Sequence, residues 1–355
     1  MDIQPTKLVQ ELKPYTPGEQ PQEPGFIKLN TNESPYPPAP EVLRALETYD
    51  LKSLRLYPDP LCMRLRSLLA IKHKVPMDRI FVGNGSDEVL RLLFQAYVSE
   101  GETIAITDPT YSLYPVLAHI FGAEVKTFPL DHEGNLPRFP DLSPYRLFAL
   151  ANPNPPLGTF YPLGQVESLV KGAPSTLFII DEAYVDFAEE DCVDIIRRCD
   201  NAVITRSFSK SCSLAGIRVG YVMGPLDIIQ CLYKIKDSYN VCTLSQLAAC
   251  AAIEAEKYYQ EKADLIKAER EFLTGELRRL DFKVYNSKGN FVFAETADGK
   301  ALYEYLKERK ILVRYFDLPG LQAGVRISIG THEEILALVQ AVRSFIPSLR
   351  DKSRS

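Results

Sequence analysis

The sequence predicts an α/β fold: a large, mostly parallel sheet wrapped by helices, followed by a smaller C-terminal α+β lobe. Three observations carry this. From about residue 60 to 225, helix-spaced and strand-like segments alternate, the rhythm of a wrapped parallel sheet. Two of the strand candidates, 146–150 and 177–180, are near-continuous apolar runs, as strands covered on both faces require. The chain has 355 residues, more than one compact core usually holds, and two packed lobes follow from that length.

Taken in order, residues 1–40 form a Pro-rich, irregular arm with a short helix at 6–12. Such an arm buries no core of its own and is expected to pack on another lobe or another subunit. A helix at 61–74 precedes a strand at 79–82. The next helix, 86–99, opens on Ser86-Asp87-Glu88, a capping-type start followed by apolar residues at helical spacing. Strand 103–107, helix 111–121 and strand 124–128 follow, then strands at 146–150, 177–180, 202–206 and 218–223. A long helical stretch at 244–280 bridges to strands at 283–285 and 291–294, a helix at 301–310, strands at 312–315 and 326–329, and a final helix at 332–346. The expected organisation is an arm (1–40), a large α/β domain (41–270), and a small domain (271–355) that packs with the N-terminal segment.

Composition excludes several classes of function. Hydrophobic residues make up 46% and charged residues 25%, ordinary for a folded domain. The formal net charge is −5, and no dense Lys/Arg stripe offers a nucleic-acid footprint. Neither a signal-peptide core nor an apolar run of membrane-spanning length is present, so no membrane partner is expected. Seven cysteines at irregular spacing, with no Cys-x-x-Cys, fit a reduced cytoplasmic setting. Four histidines form no ligand set, so no metal is expected.

Three segments carry chemistry. Asp181 ends the apolar run Thr176-Leu-Phe-Ile-Ile180, and in an open α/β sheet a carboxylate at a strand's C-terminal end faces the ligand crevice. A helix cap would look the same. After a second apolar strand comes Ser207-Phe-Ser209-Lys210, and then Ala215-Gly216-Ile-Arg218. Hydroxyls, glycines and an arginine together suit a phosphate, and a lysine among them can condense with an aldehyde. A surface Ser/Lys loop has the same composition. The third segment, Gly83-Asn-Gly85-Ser86-Asp87-Glu88, is a strand-to-helix turn whose free N–H groups suit an anion, although such a turn is often only a cap. Together these are the parts that pyridoxal 5′-phosphate (PLP) needs: a phosphate cradle, an amine for its aldehyde, and an acid for its ring nitrogen.

With these stand Leu29-Asn-Thr-Asn32-Glu33-Ser-Pro35, Arg55-Leu-Tyr57-Pro-Asp59, Asp108-Pro-Thr-Tyr111, Asp181-Glu-Ala-Tyr184 and Val325-Arg326-Ile-Ser-Ile-Gly-Thr331. In this order, over nearly the whole chain, they resemble the fold-type-I PLP-dependent aminotransferases of the histidinol-phosphate aminotransferase group. The resemblance implies a ping-pong transfer of an amino group between L-histidinol phosphate and 2-oxoglutarate, as in histidine biosynthesis. It implies that Lys210 holds the cofactor and moves the substrate proton, that Asp181 faces the ring nitrogen, that Tyr184 contacts the ring 3′-oxygen, and that Tyr111 stacks on the ring. Gly85, Ser86, Asp87, Ser207, Ser209 and Arg218 resemble the phosphate cup, and Tyr57 resembles the tyrosine reaching that phosphate from the other subunit of a homodimer. Arg326 and Arg314 resemble the arginines that grip the substrate's anionic groups. Tyr15 and Asn32 resemble residues that close over the substrate.

One segment departs from the family pattern Asn-Pro-Asn-Asn-Pro-Thr-Gly. Here the loop reads Asn152-Pro-Asn154-Pro155-Pro156-Leu157-Gly158, so a proline without a side-chain donor replaces the asparagine expected at the 3′-oxygen. The expectation is that Asn154 supplies that contact, from a loop containing a cis proline. The rival readings are an aromatic amino-acid aminotransferase or a threonine-phosphate decarboxylase on the same scaffold, and a PLP-binding module without catalysis.

Overall fold

The computed structural model describes residues 3–12 and 18–352. Strand β1 (Ile27–Lys28) lies in the arm. The strands β2 (Ile80–Gly83), β3 (Thr103–Asp108), β4 (Glu124–Pro129), β5 (Leu147–Ala151), β6 (Leu177–Asp181), β7 (Ala202–Ser207) and β8 (Gly220–Met223) form one seven-stranded sheet in the order β2-β8-β7-β6-β5-β3-β4. Pairings among β3 to β7 are parallel, and β8 runs antiparallel to both of its neighbours. After β4 the chain returns past β3 to lay down β5, so the strand order reverses there. Ligand crevices form at such a reversal, beyond the strands' C-terminal ends.

Alternation along the strands splits the core in two. Phe178, Ile180 and Ile204 point to one face, against helices Met63–His73, Leu163–Gly172 and Thr243–Glu254. Leu177, Ile179 and Val203 point to the other, against Ser86–Tyr97, Leu113–Ile120 and Leu226–Ile235. Both faces are dry, which is why β5 and β6 read as unbroken apolar runs.

The C-terminal part has its own sheet and core. Strands β9 (Lys283–Val284), β10 (Phe291–Glu295), β11 (Ile311–Leu312), β12 (Arg314–Tyr315) and β13 (Gly324–Ser328) follow the long helix Glu256–Arg279. Four of them form an antiparallel sheet, β12-β13-β10-β9. Strand β11 pairs in parallel with β1, which fastens the arm to this part of the molecule. Leu29 joins its core beside Val292, Val325 and Ile335.

Several predicted boundaries need correction. The helical stretch 244–280 is two helices, Thr243–Glu254 and Glu256–Arg279, separated at Ala255 (φ −94°, ψ 28°). The strand expected at 218–223 begins at Gly220, because Arg218 is left-handed with φ +55°. The strand expected at 312–315 is split at Val313 between β11 and β12. The expected division at 270 lies on the helix Glu256–Arg279, part of the helical stretch expected to bridge the lobes.

Candidate active site

The crevice beyond the strand ends holds a cavity of about 330 Å³. Asp181, Tyr184, Ser86, Asp87, Tyr111, Ser207, Ser209, Lys210, Arg218, Arg314 and Arg326 all contribute to its wall. These residues end or follow β2, β3, β6 and β7, precede β8 or lie on β12 and β13, so only the fold brings them together.

Asp181 is the last residue of β6 and is 5% exposed. Burial raises its carboxyl to about 6, from an ordinary 3.8, and the Tyr114 hydroxyl opposes that rise. That hydroxyl donates to Oδ2 at 2.9 Å, and the Ala183 N–H donates to Oδ1 at 3.2 Å. Lys210 sits on the loop after β7, its Nζ donating to the Thr31 carbonyl at 3.2 Å and lying 5.6 Å from the Tyr184 ring centre. The Tyr184 ring meets Phe291 edge-on at 5.0 Å.

The phosphate-cup residues gather around the start of helix Ser86–Tyr97. Gly85 has φ +85°, and a Cβ there would lie 2.6 Å from Arg218 Nη2. A Cβ on Gly220 would lie 2.3 Å from the Ser86 nitrogen. Only glycines let β8, Arg218 and the helix N-terminus approach this closely. That helix has no side-chain cap, so its first N–H groups are left to an anion. Asp87 ties the region together: its carboxylate accepts from Arg218 Nη2 at 2.9 Å and from the Tyr111 hydroxyl at 3.1 Å. Ser207 accepts from the Ser209 N–H at 3.0 Å.

Arg314 and Arg326 stand opposite each other on β12 and β13. Their guanidinium carbons lie 5.4 and 5.5 Å from the Phe316 ring centre, and Arg326 donates to the Asn30 carbonyl at 2.9 Å. Two cations therefore share one end of the cavity.

Three sequence-predicted residues stand elsewhere. Asn32 is 1% exposed and does not face the cavity; its amide donates to the Tyr184 hydroxyl at 3.0 Å. Asn154 is fully buried, donating to the Pro109 carbonyl at 2.8 Å and accepting from the Thr110 hydroxyl at 2.7 Å. Its amide braces the neighbouring loop, and Pro155 and Pro156 form the cavity wall in its place. The loop holds cis bonds at Asn152–Pro153 and Pro155–Pro156, the proline arrangement expected of it. Tyr57 is 79% exposed and away from the cavity of its own chain, stacked at 4.3 Å on Tyr239. Tyr15 lies outside the described residues. Sequence reasoning missed Tyr114, whose spacing three residues after Tyr111 is the one available signal, and Glu33, Thr31 and Phe316 of the wall.

The residues present fit PLP. A buried carboxylate, an amine and an uncapped helix start with two hydroxyls and a guanidinium line one cavity, with close-approach glycines shaping the cup.

The family model for aminotransferases of class I and II matches residues 24–342. The chain belongs to this aminotransferase family. A histidinol-phosphate aminotransferase of Syntrophotalea carbinolica is 45% identical over 93% of this chain and 95% of its own length. The aminotransferase fold is also that of the histidinol-phosphate aminotransferase of Sinorhizobium meliloti, solved with pyridoxal-5′-phosphate (TM-score 0.86, 24% identity, 96% of this chain and 98% of that one). The L-threonine-O-3-phosphate decarboxylase of Porphyromonas gingivalis shares it too (TM-score 0.81, 24% identity, 91% and 100%).

Proposed function

We propose that this aminotransferase carries PLP on Lys210 and moves an amino group between L-histidinol phosphate and 2-oxoglutarate. The observation that carries the substrate reading is the pair of arginines, 314 and 326, flanking Phe316 at one end of the cavity that holds Lys210. Two guanidiniums match a phosphate dianion better than a lone carboxylate. The 45% identical relative, named for this activity, supports the same reading.

When bound, PLP supplies a conjugated pyridinium that withdraws electrons from the substrate carbon bearing the amine. Asp181 holds the ring-nitrogen proton: an opposite charge at ~4 Å and an effective dielectric near 20 is worth about 4 kcal/mol. That attraction also returns the buried carboxyl to its ionised form. Lys210 would hold the cofactor aldehyde through Nζ, and its free amine would carry the proton from the substrate carbon. Tyr111 would cover the ring face, and Tyr184 would donate to the ring oxygen. The first N–H groups after Gly85, from Ser86 and Asp87, would hold the phosphate with the hydroxyls of Ser207 and Ser209 and the Arg218 guanidinium. Arg326 then holds the α-carboxylate of glutamate in the second half-reaction.

The active unit is a homodimer in this reading. Leu51, Leu54, Leu56, Tyr57 and Leu61 are all exposed within one short segment, an apolar face that suits a second copy and places Tyr57 at its edge. Free cysteines throughout the described residues support a cytoplasmic setting.

The fold alone does not separate this activity from decarboxylation, since both kinds of neighbour share it. A spectral titration does. The visible band of the lysine-bound cofactor bleaches on adding histidinol phosphate and returns with 2-oxoglutarate. Bleaching by phenylalanine alone, or carbon dioxide release from threonine phosphate, would move the assignment to those substrates. A bound cofactor inert to every amine would leave a non-catalytic module.

A further inference from the structure

The loop that follows β5 offers the cavity no donor. Pro155 and Pro156 face it, and the Asn154 amide is committed to Pro109 and Thr110. The ring oxygen of a bound pyridine aldehyde therefore depends on Tyr184. A phenol can donate only where its proton points, and in this chain Asn32 governs that direction.

Asn32 stands at φ +55°, where asparagine is tolerated, and is held from three sides. Its backbone N–H donates to Ser328 Oγ at 2.8 Å, and the Ser328 hydroxyl donates in turn to Asn32 Oδ1 at 3.0 Å. The Asn290 amide donates to the Asn32 carbonyl at 3.0 Å. With Oδ1 taken by Ser328, the NH₂ end of the Asn32 amide faces Tyr184 and donates to its hydroxyl at 3.0 Å. An amide NH₂ cannot accept, so the tyrosyl proton is turned away from Asn32. Tyr184 lines the cavity, and Lys210 lies over its ring.

We propose that Asn32 is a positioning residue that fixes the polarity of the Tyr184 hydroxyl, so that Tyr184 donates to the cofactor's ring oxygen and replaces the donor that Pro155 removes. The inference rests on the cofactor reading above. It gives the arm a role in the chemistry of the site: one residue of the arm, one of β13 and one of the β6 loop form a single donor chain ending in the cavity. A donor to the ring oxyanion stabilises the anion and weakens its hold on the neighbouring proton at the lysine nitrogen.

The test is a pH titration of the visible band of the holoenzyme. Asn32→Asp keeps the shape but presents only acceptors, so the Tyr184 proton turns toward Asp. Loss of one charge-assisted hydrogen bond raises the band's midpoint by about one pH unit. Tyr184→Phe raises it comparably, and adding Asn32→Asp to Tyr184→Phe brings no further shift. Ser328→Ala, which frees the amide to turn, raises the midpoint by a smaller amount and covers the case in which Asn32→Asp does not fold. A merely structural Asn32 would lower the melting temperature and leave the midpoint in place. The proposal is overturned if Tyr184→Phe moves the midpoint while Asn32→Asp and Ser328→Ala leave it at the wild-type value. A wild-type protein that shows no visible band with PLP overturns the cofactor reading itself, and this inference with it.

Discussion

At the scale of single residues, Asp181 carries the largest electrostatic burden. Its buried carboxyl is raised to about 6 from 3.8. An acid raised in this way favours the folded state fully below the unfolded value and loses that contribution as pH rises through the folded value. The apoprotein is therefore expected to lose stability between about pH 4 and 6, by about 3 kcal/mol from this group alone. Asp181→Asn removes the buried charge. At pH 8 its apoprotein is expected to be about 1–3 kcal/mol more stable than wild type by urea unfolding, while its turnover collapses. An apoprotein equally or less stable at pH 8 would show that the carboxylate is not strained by burial. Asp181 and Lys210 were legible in the sequence because each follows an apolar strand, and a polar residue at that boundary has a crevice to face. Tyr114 was not, because a tyrosine on an apolar helix face reads as core until its hydroxyl is seen against Asp181. The place of Asn32 was illegible for another reason: its side-chain and backbone partners, Tyr184 and Ser328, lie 152 and 296 residues away.

At the scale of elements, the ends of β6 and β7 must stay in register for Asp181 and Lys210 to share a cavity. The residues next in line point to the opposite face and clamp the strands there. Arg206 donates to Glu182 at 2.9 and 2.7 Å, and to Asp191 at 2.8 Å. Glu182 is 1% exposed and Arg206 6%. Arg206→Met leaves the Glu182 carboxylate buried without its cation and is expected to destabilise the fold by about 3–5 kcal/mol. Adding Glu182→Gln should recover part of that loss, as urea midpoints would reveal; a second change that simply adds to the first would mean the two groups are not coupled. Sequence rhythm gave the strands well but the helix ends poorly. Helices Leu163–Gly172 and Leu226–Ile235 lie outside the predicted elements, although Pro162 and Pro225 mark both starts. The break at Ala255 carries no local signal, since alanine is the strongest helix former. Packing of the two helices against different cores accounts for it: Ala248 to Ala252 belong to the large sheet, Ile266 to Leu277 to the small one.

At the scale of the whole molecule, the apolar segment around Tyr57 sets the expected assembly. Two 40.0 kDa chains are expected to sediment as one particle. Leu54→Glu places a charge in that face and is expected to give monomers at micromolar concentration. Turnover should fall by ~10-fold or more as Tyr57 leaves the partner's phosphate site, a loss of at least about 1.4 kcal/mol in transition-state stabilisation. A wild-type monomer with full turnover would remove the second copy from the site. The sequence showed the tyrosine and its apolar neighbours, but nothing in a linear pattern distinguishes a face awaiting a partner from one awaiting a loop.

The claim on which all three scales rest is covalent: the Lys210 amine, and no other, captures the PLP aldehyde. The direct measurement is to incubate the protein with PLP, reduce it with borohydride, digest it, and locate the phosphopyridoxyl group by mass spectrometry. The account requires one label per chain on Lys210, absent from Lys210→Ala. A label spread over surface lysines, or lodged at a different one, would contradict it.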